Sequence, residues 1–171
     1  MLLELVIKDF AIIDRLNLSF KKGLNILSGE TGTGKSIIVG AVTLLLGGRA
    51  YSELIRSETD AAVVEAVFDI SDTTEVKRLL NTLGINVEDD QLIIRRIISR
   101  SGKNRIYIND QLANIQMLTQ IGGALIDISG QYSQQLLLQT DGHINIIDIF
   151  GVHDELCGIL RPRPRFLWGP Q

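Results

Sequence analysis

The chain has 171 residues, of which 45% are hydrophobic and 22% are charged, and its formal net charge is −3. This is the composition of an ordinary globular protein, and its charge excludes a global attraction to nucleic acid or to a membrane surface. The single cysteine, Cys157, excludes an internal disulfide and fits a reducing cytoplasmic compartment. The first residues do not form a signal peptide, and no apolar run reaches the roughly 18 residues that a membrane helix needs.

The first half of the chain predicts three strands and a helix. Residues 3–7 and 16–20 alternate between apolar and other side chains, which is typical of strands. Residues 24–27 are predicted to form a short apolar strand that leads into a glycine-rich loop. Residues 36–46 are apolar on nearly every side, which predicts a buried helix that ends at Gly47 and Gly48.

The second half of the chain continues with alternating strands and helices. Residues 64–70 predict a strand, and residues 72–75 resemble a capping box before an amphipathic helix that ends at Gly84. Residues 91–99 and 104–109 predict a hairpin closed by residues 100–103. Asn114 is expected to cap a short helix up to Ile121, and a short strand at 124–128 and a last helix at 141–158 complete the prediction.

Residues 29–36 read GETGTGKS and fit the pattern G-x-x-x-x-G-K-[ST]. Glycines allow the backbone N–H groups of such a loop to turn toward phosphate oxygens, and the following helix adds its positive N-terminal end. Lys35 is expected to reach the β- and γ-phosphates, and Ser36 to offer its hydroxyl to Mg²⁺. The pattern thus predicts a site for ATP and Mg²⁺ formed by Gly29, Glu30, Thr31, Gly32, Thr33, Gly34, Lys35 and Ser36.

A site that hydrolyses the bound nucleotide also needs a carboxylate for Mg²⁺ and a group that orients water. Asp127 and Asp148 each follow a short apolar run, although neither is followed by glutamate, and both also fit an ordinary surface aspartate. Gln131 lies just after the strand predicted at 124–128. As a neutral ligand it can reach Mg²⁺ and the attacking water. The alternative interpretation is an ordinary loop glutamine that is exposed to solvent.

The predicted hairpin carries a cluster of basic residues with no acidic neighbour: Arg95, Arg96, Arg100, Lys103 and Arg105. This cluster could contact the phosphate backbone of DNA. A solvated hairpin is at least as good an interpretation, since only Tyr107 adds an aromatic side chain. Arg49 and Arg56 follow the first helix, and either could reach nucleotide phosphates or lie on the surface.

Four segments together resemble the N-terminal part of the RecN family, the bacterial SMC-like DNA repair ATPases: residues 5–14, 23–36, 44–50 and 127–132. The resemblance extends over residues 1–156. It implies an α/β fold of the P-loop NTPase class, namely the N-terminal half of an ABC/SMC-like ATPase head with a mixed β-sheet and an antiparallel β-rich subdomain. In such a head, a long antiparallel coiled coil separates the two halves.

The resemblance also implies roles for individual residues. Residues 29–36 bind the ATP phosphates, Gln131 takes the glutamine-loop position, and Arg56 resembles the arginine that reaches the nucleotide in SMC-like heads. The implied organisation is a half-head over residues 1–140, the root of a coiled-coil arm at 141–158 and a non-native or unstructured tail at 159–171. Thr33 and Gly40 stand where the family usually has Ala and Asp.

The partners implied by the resemblance are ATP, DNA for the full-length protein, the C-terminal half of the head and a second head in a homodimer. The location implied is the cytoplasm, at the nucleoid, without a membrane. We expect the chain alone to bind ATP weakly and to hydrolyse it little, because the acidic strand, the catalytic glutamate and the signature loop belong to the other half. The alternatives are a self-contained small P-loop NTPase or kinase that uses Asp127 for Mg²⁺, and a DNA-binding or assembly module with a vestigial loop.

Overall fold

A computed structural model of the chain describes residues 1–29, 34–126 and 128. The described residues form one six-stranded sheet in which every neighbouring pair of strands is antiparallel, in the order β2-β1-β3-β4-β5-β6. The strands are β1 (Leu2–Phe10), β2 (Ile13–Ser19), β3 (Ala61–Asp69), β4 (Gln91–Ser99), β5 (Asn104–Ile108) and β6 (Gln111–Ala113). The helices in this part of the chain are α1 (Lys35–Leu45), α2 (Thr74–Thr82) and α3 (Ile115–Leu125), and a 3₁₀ turn covers Ser52–Leu54.

One face of the sheet is covered. The alternation of side chains along each strand determines which residues point to that face. In β3, residues 62, 64, 66 and 68 are buried while the residues between them are only partly covered, and β4 repeats this pattern at 92, 94, 96 and 98. The three helices contribute to the same core cluster through Leu44, Leu80 and Leu118, among others. Burial of each large aliphatic side chain contributes about 1.5–3 kcal/mol, so this face supplies most of the stability of the fold.

Several predictions from the sequence are confirmed. The α/β class and the antiparallel subdomain are present, and the predicted hairpin corresponds to β4 and β5. Helix α1 ends as expected at Gly47, since the N–H groups of Gly47 and Gly48 donate to the carbonyls of Leu44 and Thr43 at 3.2 and 2.9 Å. This pair of bonds is a Schellman motif, which satisfies the last carbonyls of the helix.

The strand predicted at residues 24–27 is wrong. These residues pair with none of the six described strands, and the side chains of Leu24 and Ile26 are 87% and 78% exposed. An apolar strand needs a neighbouring strand for its hydrogen bonds and a layer that covers its side chains. The described sheet offers this segment neither.

The prediction of a fully buried first helix is correct on one side of α1 only. Ala41, Leu44 and Leu45 lie in the core, whereas Ser36 and Val39 are exposed on the other side. The sequence showed apolar residues around the helix, but the described part of the fold covers only the side that faces β3 and β4.

Two helix predictions need correction. Thr73 precedes α2, but its side chain makes no capping hydrogen bond, so the expected capping box is not formed. Asn114 does cap α3, accepting from the N–H of Met117 at 2.9 Å, but the helix continues to Leu125, so residues 124 and 125 are helical where a strand was expected. A glycine makes this continuation possible, because a Cβ on Gly122 would lie only 2.6 Å from the carbonyl oxygen of Leu46.

Some predictions fall on parts of the chain outside the described residues. These are the roles of Gln131, Asp127 and Asp148, the helix at 141–158, the tail at 159–171 and the two domain boundaries. Among the described residues, no helix is both long and apolar enough to cross a membrane.

Candidate phosphate-binding site

The end of the glycine-rich loop forms the start of α1. Gly34 is the residue before the helix and has a φ of 103°, in the left-handed region that glycine adopts without strain. Its carbonyl already accepts the N–H groups of Ile37 and Ile38 at 3.0 Å each. The backbone thus turns into the helix within one residue, and α1 begins directly after Gly34.

The side chain of Lys35 folds back over the loop. Its Nζ donates a hydrogen bond to the carbonyl oxygen of Gly29, the first residue of the pattern. Ser36 follows in the first turn and is exposed. Lys35 thus connects the two described ends of the pattern, while residues 30–33 lie outside the described part of the chain and the binding of phosphates stays a prediction.

A cleft of about 420 Å³ lies beside the start of α1. One wall comes from the turn between β1 and β2 and from β2 itself, and the other from α1. Its lining is mainly aliphatic with one acidic and one basic side chain: Ile12, Ile13, Asp14, Arg15, Leu16, Gly34 and Ile38. The end of the phosphate-binding pattern thus opens onto a space with an apolar floor.

Arg56 is linked to this cleft through an ion pair. Its Nη1 lies 3.5 Å from Oδ1 of Asp14, which is one of the lining residues. Its backbone N–H donates to the carbonyl of Asp9 at 2.9 Å, next to an isolated bridge between Phe10 and Ile55. The segment that carries Arg56 therefore packs along the end of β1, on the side of the cleft.

The structure separates the basic residues of the hairpin. Arg95 lies on the open face of the sheet, where its Nε donates to Glu65, and this hydrogen bond raises the pKa of Arg95. Arg96 is 2% exposed, and burial lowers the pKa of its guanidinium. The prediction that Arg96 contacts DNA is therefore wrong, because its side chain lies inside the core.

Arg96 binds the end of the helix that follows the phosphate loop. Its Nη1 donates to the carbonyls of Leu44 and Gly48 at 2.6 and 2.7 Å, and its Nε to Oδ1 of Asn104 at 3.2 Å. A positive charge at a helix C-terminus is favourable, because the last carbonyls carry partial negative charge. Arg96 thus connects α1 to β4.

The other three basic residues of the cluster also differ from one another. Arg100 binds backbone carbonyls of residues 55–59 with its guanidinium, so it is not available as a free contact for DNA. Lys103 and Arg105 are exposed, and neither forms an ion pair with a described residue. The continuous basic patch predicted from the sequence is therefore reduced to these two residues.

One signal in the sequence separates these arginines. Arg96 and Arg100 have the same two-residue phase as Leu92 and Ile94, which face the core, whereas Arg95 has the opposite phase. Alternation along β4 thus identifies Arg96 as the arginine of this strand that faces the core. The role of Asp14 as the partner of Arg56 carries no comparable signal, because these residues are far apart in the chain.

Comparison with known proteins places this geometry in a family. The model of the RecF/RecN/SMC N-terminal domain matches residues 1–125. The chain is 44% identical over 150 residues to the DNA repair protein RecN of Bacillus subtilis and 42% identical over 150 residues to that of Halalkalibacterium halodurans. Each alignment covers 88% of this chain and 26% of the relative, so the chain spans about a quarter of the length of these relatives.

A solved structure shares the fold. A chain from work on ATP-driven dimerization and DNA-stimulated activation of SMC ATPases superimposes with a TM-score of 0.60 at 22% identity. The superposition covers 91% of this chain and 95% of that one. This likeness shows the fold, and the match of the family model over residues 1–125 shows that the chain belongs to the RecF/RecN/SMC N-terminal domain family.

Proposed function

We propose that this chain is the ATP-binding half of the head of a RecN-like ATPase that acts in DNA double-strand break repair and recombination. The observation that carries this proposal is the start of α1, where Gly34 turns the backbone into the helix and Lys35 folds back onto Gly29. The names of the two relatives support the biological setting. The expected location is the cytoplasm, at the nucleoid.

The residues at the start of α1 fit a nucleotide phosphate. The N-terminal end of α1 carries partial positive charge from its aligned peptide dipoles, which favours an anion at this end. Lys35 adds a full positive charge at the same place. We expect Glu30, Thr31, Gly32 and Thr33 to complete the loop around the phosphates.

Ser36 is the described residue that fits Mg²⁺, since its hydroxyl is exposed in the first turn of α1. Bound Mg²⁺ would neutralise charge on the β- and γ-phosphates. We assign Gln131 as a second ligand that also orients water, in keeping with the glutamine-loop position of the family. Arg56 is proposed to exchange its exposed partner Asp14 for a phosphate oxygen of the nucleotide, because the cleft of Asp14 begins at Gly34.

The apolar surface near the loop supports docking of the C-terminal half of the head. Leu24, Ile26 and Val39 are all at least half exposed, although residues 24–27 and α1 both read as buried elements in the sequence. Large apolar side chains left exposed near a binding site are a common feature of interfaces. Dimerisation of two heads and DNA binding by the full-length protein complete the proposal, with Lys103 and Arg105 as the remaining exposed basic residues of the hairpin.

Titration of the chain with ATP and Mg²⁺ tests this proposal. The wild type is expected to bind with weak affinity, and Lys35→Ala to lose about tenfold or more, because a hydrogen bond to a charged group is worth about 1.5–3 kcal/mol. Lys103→Ala is the matched control, since it removes an exposed lysine from the turn between β4 and β5, and it should bind like the wild type. Absence of binding by the wild type, or equal binding by Lys35→Ala, would favour a vestigial loop.

The self-contained NTPase is a second candidate that the family match does not favour. Its test is the rate of ATP hydrolysis by the isolated chain with and without Asp127→Asn. We expect little turnover by either chain. Turnover typical of complete P-loop ATPases that disappears in Asp127→Asn would establish the alternative instead.

A further inference from the structure

Arg100, the residue that follows β4, binds the segment that carries Arg56. Its Nε donates to the carbonyl of Thr59 at 2.7 Å, and its Nη2 donates to those of Arg56 and Ile55 at 2.9 and 3.4 Å. Its own backbone N–H donates to the carbonyl of Asp60 at 2.9 Å. One guanidinium thus engages three carbonyls within five residues of chain.

The same segment is held from the opposite side by β1 and the turn after it. The N–H of Arg56 donates to the carbonyl of Asp9 at 2.9 Å, and the N–H of Ala11 donates to the carbonyl of Leu54 at 2.7 Å. Arg56 therefore has its N–H bound to β1 and its carbonyl bound to Arg100. Its side chain stays 40% exposed and points toward the cleft at Asp14.

The chemistry of Arg100 suits a positioning role. Its three guanidinium contacts are neutral carbonyl oxygens, and in the described part of the chain it forms no ion pair with a carboxylate. The rigid planar fork of arginine can serve several carbonyls at once, whereas lysine offers a single point of attachment on a flexible stem. The charged guanidinium of Arg100 therefore serves to hold the backbone of residues 55–59 in place.

We propose that Arg100 is a positioning residue that holds the 55–59 segment against the sheet, so that the side chain of Arg56 can bind a phosphate of the nucleotide. This inference rests on the proposed function, because it takes the nucleotide site at Gly34–Ser36 as given. It adds the residue that follows β4, 44 positions along the chain from Arg56, to the machinery of that site.

A double-mutant cycle on nucleotide affinity tests the coupling. Arg56→Ala and Arg100→Met are each expected to weaken binding of ATP with Mg²⁺ by about threefold to tenfold, the equivalent of one or two ordinary hydrogen bonds. If Arg100 acts through Arg56, the double variant binds no more weakly than Arg56→Ala alone. Arg100→Lys should recover only part of the loss, and Arg78→Met, at an exposed arginine of α2, should have no effect. Additive losses in the double variant would overturn the coupling.

Hydrogen exchange provides a second measurement that needs no nucleotide. Loss of the Arg100 contacts should speed amide exchange of Arg56 and Thr59 by about tenfold relative to the wild type, while amides in the centre of β3 keep their protection. Unchanged exchange at these two amides would show that Arg100 does not hold the segment and would overturn the inference. If the wild type binds no ATP, the proposed function and the coupling fail together, and the exchange result alone decides whether Arg100 holds the segment.

Discussion

The antiparallel sheet and the region of the phosphate loop differ in how completely they are covered. On one face of the sheet, strands β1 and β3–β5 place their alternate residues in a core closed by the three helices, and Ile94 in β4 is fully buried. Around the loop, residues 24–27 pair with no described strand, Ile26 is 78% exposed, and the outer side of α1 carries the exposed Val39. Both regions are rich in aliphatic residues, so their composition does not explain the difference.

The difference teaches that, among the described residues, the sheet has its packing partners and the segments beside the loop do not. In the sheet, each strand finds its hydrogen-bonding neighbour within the described chain, mostly through short connections. The apolar residues beside the loop have the sequence of buried elements but lie on the surface. This is the expected result when a sheet and its covering layer are completed by a separate segment or subunit.

A pair of identical substitutions gives the largest contrast between the two regions. Ile94→Ala should lower the free energy of unfolding by about 2–5 kcal/mol, because it removes buried methyl groups and leaves a cavity. Ile26→Ala should change it by less than about 0.5 kcal/mol, as expected for an exposed side chain. Urea unfolding of the 171-residue chain measures both. A cost at Ile26 that approaches the cost at Ile94 would mean that residues 24–27 are covered in solution.

Arg96 is the point where the two regions are joined, and its removal should have an intermediate effect. Arg96→Met keeps much of the side-chain volume but leaves the carbonyl of Gly48 without the donor that it has in the structure. A hydrogen bond to a charged group is worth about 1.5–3 kcal/mol, and we expect a loss of that size in thermal or urea unfolding. The control Arg105→Met should stay within about 0.5 kcal/mol of the wild type. If Arg96→Met left the free energy of unfolding unchanged, the C-terminal end of α1 would not depend on its contact with β4.

Helix caps give the smallest of the three effects and test how finely the covered region is specified. Asn114→Ala should cost about 1 kcal/mol, because it removes the acceptor of the Met117 N–H at the start of α3. Thr73→Ala, at the corresponding position of α2, should cost under about 0.5 kcal/mol, since the Thr73 side chain makes no capping bond. Equal losses, measured by the same unfolding experiment, would contradict this assignment of caps.

Local patterns were sufficient for most of the sheet. The hairpin of β4 and β5 was predicted almost to the residue, because alternation of apolar residues and a short polar turn both act over a few positions. The ends of α1 and α2 at Gly47 and Gly84 were predicted for the same reason, since a left-handed residue after a helix is a local requirement. For the candidate site, the pattern at residues 29–36 predicted the start of a helix near Lys35, which α1 confirms, whereas the contact of Lys35 with the phosphates stays a prediction.

Long-range contacts explain most of the wrong predictions. The basic residues of the hairpin were treated as one surface patch, but the structure places Arg96 beneath the end of α1, in contact with a carbonyl 52 positions earlier in the chain. The continuation of α3 through Gly122 depends on close contact with Leu46, the residue just after α1. Neither contact is visible in a window of neighbouring residues.

The sequence by itself determined the strand alternation, the glycine-terminated helices and the loop pattern at residues 29–36, because each follows from steric and hydrogen-bonding preferences of adjacent residues. Only the tertiary structure decided which apolar segments are covered and what the arginines bind. Those outcomes depend on which surfaces meet. A buried guanidinium in particular is stable only where distant carbonyls converge on it, as those of Leu44 and Gly48 do at Arg96.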